Sequence, residues 1–168
     1  MFSLPFDELV PDARFTTRGR TVTEADVCAF ASLTGDFHPQ HTDAEWSARG
    51  PFGGRIAHGM LVLAYAAGLV PLDPDRVIAL RRVRDATFKR PVRLGDTIVV
   101  HGRVAALTPV DDGTGLVAVA LTVTGPQERT VMRATVELLW RRDAVETSDA
   151  LPEIDVSGLV YAFTSVPL

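Results

Sequence analysis

Cysteine is nearly absent. Cys28 is the only one in 168 residues, so no internal disulfide can form, and the chain reads as suited to a reducing, cytoplasmic setting. Long hydrophobic runs are also lacking. The longest, Ile56–Leu72, is broken by His58, Gly59 and Gly68 and is short for a membrane span. The opening Met1-Phe-Ser-Leu-Pro-Phe-Asp7 has neither the basic start nor the apolar core of an export signal. Positive charge is in deficit, with a formal net charge of −4, which gives no general case for nucleic acid or membrane binding. No internal repeat, no Gly-x-Ser-x-Gly elbow, no phosphate-binding Walker motif and no dinucleotide glycine motif occurs. The four histidines show no metal-ligand spacing. His38 and His41 with Asp36 are imaginable as ligands, but no second cluster completes the set, so no metal is expected.

What is present suits one globular domain of ordinary composition. Thr23-Glu-Ala-Asp26 has the form of a helix start, and Val27, Phe30, Ala31 and Leu33 are read as one helical face that stops at Gly35. Thr34–His41, Thr-Gly-Asp-Phe-His-Pro-Gln-His, is punctuated by Gly35 and Pro39 and predicts an irregular loop. A short helix is expected over Thr42–Ala48, then a glycine-rich link, Arg49–Gly54. From Ile56 to about Val70 the chain is apolar on every side, which predicts a helix buried all round. Pro71-Leu-Asp-Pro74 stops it. Strands follow: a short first one over Arg14–Val22 with a bend at Gly19, a short candidate at Ala86–Phe88, and longer ones at Thr97–Leu107, Gly115–Thr124 and Thr130–Trp140. Short links between sequential strands favour an antiparallel sheet, wrapped around the buried helix. Arg141–Pro152 reads as polar linker, and Leu159–Phe163 as an apolar end that docks on the body or on a partner.

The chemistry concentrates in the loop. Asp36 supplies a carboxylate and His41 an imidazole that titrates near neutrality, so the two can act together on one water molecule. The structural alternative is that Asp36 caps the following helix and His41 packs. Gly59 falls in the first turn of the buried helix, where amides without intrahelical acceptors and the helix dipole can hold a developing oxyanion. Alternatively it only gives room for helix–sheet packing. His38 and His58 are read first as bracing groups and kept as candidate substrate contacts. His101 is read as a surface strand residue. Arg81, Arg82, Arg84, Lys89, Arg90 and Arg93 stand against the single acid Asp85. That run is either a phosphate-binding patch or a solvated strand edge.

The segments Thr34–His41 and Arg55-Ile-Ala-His-Gly-Met60, with Phe88-Lys-Arg-Pro-Val-Arg-Leu-Gly-Asp96, resemble the MaoC-like (hydratase 2) dehydratases, which include the R-specific enoyl-CoA hydratases. The likeness runs from about Phe6 to Trp140. It implies an α+β hotdog fold over residues 1–140, a curved antiparallel sheet around a long central helix, with residues 141–168 as an extension of unknown role. It implies homodimers or dimers of dimers. The family's catalytic aspartate and histidine fall on Asp36 and His41, and its oxyanion-binding glycine on Gly59. The family's usual loop asparagine is His38 here, and a serine of some hydratases is Ala67. The implied reaction adds water to a trans-2-enoyl thioester of coenzyme A or acyl carrier protein, giving an (R)-3-hydroxyacyl thioester, or runs in reverse. Arg84, Lys89 and Arg90 are the basic candidates for binding that carrier. Coenzyme A or pantetheine belongs to the substrate, and no separate cofactor is expected. A thioesterase on the same fold, or a non-catalytic acyl-binding subunit, are the rival expectations.

Overall fold

The structure, a computed structural model, describes residues 2–142. Three valine-rich strands pair in sequence order: β4 (Thr97–Pro109) with β5 (Thr114–Thr124), and β5 with β6 (Thr130–Arg141), all antiparallel. Their branched side chains alternate between faces. Ile98, Val100 and Val104 of β4 are buried, while Thr97, His101 and Ala105 on the other face are exposed. β3 (Val77–Phe88) lies beyond β6, and β1 (Arg14–Thr16) and β2 (Arg20–Thr21) both pair with β4, giving the order β1-β4-β5-β6-β3 with β2 off that path. Register shifts interrupt β3 at three points, and Asp85 there has φ 54°. Such bulges bend a strand and tighten its twist, which curves the sheet.

Two strand expectations need correction. β3 is 12 residues long, not the short Ala86–Phe88. It is an edge strand exposed over most of its length, so no apolar alternation marks it. The segment Arg14–Val22 is split into β1 and β2. Gly19 lies in the break, where an added Cβ would stand 2.9 Å from Thr97 Cγ2.

The central helix is α4 (Gly59–Leu69). It packs Leu61, Val62, Leu63 and Ala66 into one core with Val27 and the inward faces of β4, β5 and β6. A curved antiparallel sheet against this helix is the α+β hotdog arrangement. Burial all round is not met, however. Met60, Ala64 and Gly68 form an exposed stripe at helical spacing, with Met60 58% exposed, because no layer of the described residues covers that side.

α1 (Glu24–Thr34) starts at Thr23, whose hydroxyl accepts from the Asp26 amide while the Asp26 carboxylate accepts from the Thr23 amide. It ends at Gly35 with φ 78°, a left-handed conformation that glycine adopts without strain. Val27 and Ala31 face the core, but Leu33 is 83% exposed, since it falls off their line on the helix. The expected Thr42–Ala48 helix is two short ones, α2 (Pro39–Thr42) and α3 (Ala44–Ala48), divided at Asp43. The stretch Leu159–Phe163 lies outside the described residues.

Candidate active site

α1, α2 and the start of α4 converge at one end of the central helix. Gly35 turns the chain out of α1 and leaves Asp36 half-exposed, its carboxylate accepting from the His38 amide at 3.2 Å. His41 is not on an irregular loop, as the sequence suggested, but on α2, where Pro39 in the first turn favours helical φ. Its Nδ1 lies 2.7 Å from the Ile56 main-chain carbonyl. A carbonyl can only accept, so Nδ1 carries the hydrogen and Nε2 is the basic nitrogen. The His41 pKa is lowered from the ordinary imidazole value. Burial is the main cause, supported by the neighbouring His58 and His38 and opposed by the Ile56 hydrogen bond and the Asp36 charge.

His58 is the most enclosed of the group, with 2% exposure. Its ring stacks on His41 at 3.8 Å between centroids. Its Nε2 lies 3.0 Å from the Asp36 main-chain oxygen and 3.9 Å from Asp36 Oδ2. One ligand-type atom each from Asp36, His41 and His58 fall within 4.8 Å of one another, and His58 replaces the His38 that spacing suggested. The set does not fit a metal ion. The two imidazoles lie nearly parallel, 26° apart, so their in-plane lone pairs do not converge on one centre.

Gly59 is the first residue of α4, and its preceding residue His58 does not cap the helix with its side chain. The first intrahelical bond runs from the Val62 amide to the His58 carbonyl at 3.2 Å, leaving the amides of Gly59, Met60 and Leu61 without intrahelical acceptors. An added Cβ at Gly59 would meet the Phe88 ring at 3.1 Å. The missing side chain therefore gives room to a packed ring.

A cavity of about 460 Å³ opens here. His41, Gly59, Lys89 and Arg90 line it, together with Gln40, Phe52, Ile56, Ala57, Val62, Phe88, Pro91, Val92 and Val131. Asp36 is not among the lining residues and adjoins the cavity through His41. Three sequence candidates for substrate contact do not reach it either. His58 is turned into the protein. His38 braces the loop: its Nδ1 accepts from the Gln40 amide at 3.2 Å and its ring meets Trp46 edge-on. Arg84 is held on β3 at 2.8 Å from Glu137, a carboxylate that also draws in Arg81 and Arg82. The basic run is thus divided, with one half neutralising Glu137 and Lys89 and Arg90 at the cavity. Arg93 is tied by its side chain to the Phe52 carbonyl and by its amide to Asp96 at 2.8 Å. His101 sits on β4, exposed, between Thr16 and Thr124.

Gln40, Phe52 and Val131 join the site without a chemical signature in the sequence. The one signal for Gln40 is that it adjoins His41. Phe52 sits in a stretch that reads only as a glycine-rich link. Val131 is distant in sequence and carries no mark.

The family model described as MaoC like domain matches residues 8–126. Protein MaoC of Klebsiella aerogenes is 41% identical over 97 residues, covering 57% of this chain and 29% of that protein. The (R)-specific enoyl-CoA hydratase of Rhodospirillum rubrum is 29% identical over 106 residues, covering 63% of this chain and 74% of that one. Among solved structures, R-hydratase PhaJ1 from Pseudomonas aeruginosa in the unliganded form superposes with a TM-score of 0.71 at 28% identity, over 89% of this chain and 94% of that one. Coverage of the curated relatives varies, and falls to under a third of the Klebsiella protein. The family match takes in α1, the Asp36–His41 segment, the whole of α4 and the cavity residues up to Val92, and on it the chain belongs to the MaoC-like domain family.

Proposed function

We propose that the protein is a hydratase/dehydratase that adds water across the double bond of a trans-2-enoyl thioester to give an (R)-3-hydroxyacyl thioester, or removes it in the reverse direction. One observation carries the reading. His41 and the uncapped first residue of α4, Gly59, line a single cavity, and an Asp36 oxygen lies within 4.8 Å of a His41 nitrogen. One water bridges such a span with two hydrogen bonds of about 2.8 Å. The names of similar proteins, an (R)-specific enoyl-CoA hydratase among them, point the same way.

Asp36 and His41 hold the water, and its oxygen adds to C3. One of the pair takes the water's proton, and one returns a proton to C2. His41, hydrogen-bonded through Nδ1 to the Ile56 carbonyl, offers Nε2 for this work. The enolate-like charge that develops on the thioester oxygen rests on the Gly59 amide at the positive end of α4. Lys89 and Arg90 at the cavity attract the phosphates of coenzyme A or of a carrier protein's pantetheine arm. The working form is a homodimer in which the outer edge of β3, unpaired among the described residues, and the exposed stripe on α4 face a second copy.

The test is the loss of enoyl absorbance from crotonyl-CoA, with thiol release followed in parallel. Asp36→Asn should lower kcat by about 10²–10⁴-fold, the range acid–base catalysis contributes, with an unchanged circular dichroism spectrum. Full activity in that variant refutes the assignment, and thiol release without hydration makes the protein a thioesterase.

A further inference from the structure

His58 does not reach the cavity, and the chemistry proposed above makes no use of it. It is nevertheless the most deeply buried polar group of the site, at 2% exposure. Three contacts define it. Its Nε2 lies 3.0 Å from the Asp36 main-chain oxygen, so Nε2–H donates and fixes the backbone that carries the carboxylate. One face of its ring stacks on His41 at 3.8 Å. Phe30 of α1 lies 5.1 Å away between ring centroids, tilted by 52°. Its remaining nitrogen, Nδ1, is buried without a hydrogen-bond partner among the described residues. A buried polar atom without a partner costs free energy, so an apolar ring would serve packing better than an imidazole. What an imidazole adds here is one in-plane donor on a flat ring.

Resting on the hydratase reading, we infer that His58 is a positioning residue: its Nε2–H and its ring face together set the distance between the Asp36 carboxylate and the His41 imidazole. The His58 backbone leads directly into Gly59 and accepts the first hydrogen bond of α4. One residue therefore ties the carboxylate, the imidazole and the oxyanion-binding helix end to a common frame. Misplacing a catalytic group by about 1 Å can cost 10²-fold in rate, so the effect appears in kcat. Binding of the carrier's phosphates is assigned to Lys89 and Arg90, which follow β3 and are separate from the groups His58 positions.

Two variants separate its two contacts. His58→Phe keeps a flat ring and loses the donor; His58→Gln keeps a donor and loses the ring. Both are expected to lower kcat on crotonyl-CoA by about 10²-fold while KM stays near the wild-type value. A purely structural role would instead lower the melting temperature and leave kcat per folded molecule intact. Full kcat in both folded variants, with Asp36→Asn inactive, overturns the positioning role and leaves the hydratase reading standing. A wild-type protein that does not hydrate enoyl thioesters overturns both. Should either variant fail to fold, ¹⁵N–¹H correlation spectra of the wild-type histidine rings decide. A slowly exchanging hydrogen on His58 Nε2 is expected, and a hydrogen found on Nδ1 instead refutes the proposal.

Discussion

Gly59 separates two roles that its sequence position leaves mixed. Its missing Cβ makes room for Phe88, and the residue lines the cavity at the start of α4. Gly59→Ala puts a methyl 3.1 Å from that ring, a contact the ring relieves by shifting a few tenths of an ångström. The alanine variant is expected to lose about 10-fold or more in kcat, as a displaced oxyanion donor costs 10²–10³-fold when lost outright. Adding Phe88→Leu should restore stability but not rate; recovery of rate in that double variant would mean the glycine serves packing alone. His41 sets a second prediction. As a base it must be unprotonated, and burial lowers its pKa, so kcat/KM should hold at neutral pH and fall on the acid side with a midpoint below about 6.5, the usual imidazole value. A midpoint above that value contradicts the burial argument. The same shift affects folding. The unfolded chain binds this proton more readily, so the group's contribution to stability is complete above the unfolded value and shrinks as pH falls through the folded one.

At the scale of elements, local chemistry accounts for how α1 begins and where it points. Burial alone would raise the Asp26 carboxyl, but hydrogen bonds from Tyr65 and Thr23 and the Arg20 charge outweigh it and bring it down to about 2. Arg20 lies 2.9 Å from Asp26 and 4.8 Å from the Tyr65 ring centroid. The cluster thus joins β2, α1 and α4. Its stabilisation should be complete above about pH 4 and disappear as pH falls toward the folded value, visible as a steeper acid unfolding limb than in Asp26→Asn. Thr23→Ala, which breaks the capping box, should cost about 1 kcal/mol, or about 2–4 °C in melting temperature. The helix start was legible because capping is written in neighbouring residues. β3 was not legible, because an exposed edge strand carries no hydrophobic period and its arginines are placed by Glu137 on another strand.

At the scale of the whole molecule, the N-terminal segment is anchored on β6. Trp140 of β6 is fully buried, donates Nε1–H to the Leu4 carbonyl at 3.0 Å and lies 6.0 Å from the Phe2 ring. Trp140→Ala should therefore destabilise by about 3–5 kcal/mol, read in a denaturant titration. Among the described residues β3 leaves one edge of the sheet unpaired, with Leu80 50% exposed, and α4 presents Met60, Ala64 and Gly68. The homodimer proposed above would cover this exposed apolar surface. If two copies meet there, Leu80→Glu should convert a dimer to a monomer in sedimentation velocity and lower activity with it. A variant that stays dimeric would place the interface elsewhere.

The sequence by itself determined the segments whose signals are local: the capped start of α1, its stop at Gly35, the apolar helix after Ile56, three valine-rich strands and the family likeness of Thr34–His41. It also brought Asp36 and His41 within five positions of each other. Only the tertiary structure decided which candidates share a cavity. Lys89 and Arg90 reach it while Arg84 turns to Glu137, and His58, next to Gly59 in the chain, faces away from the cavity to hold Asp36 and His41. The physical reason is that burial, stacking and ion pairing depend on neighbours contributed by other elements. No spacing along one chain specifies them until the sheet has curved against α4.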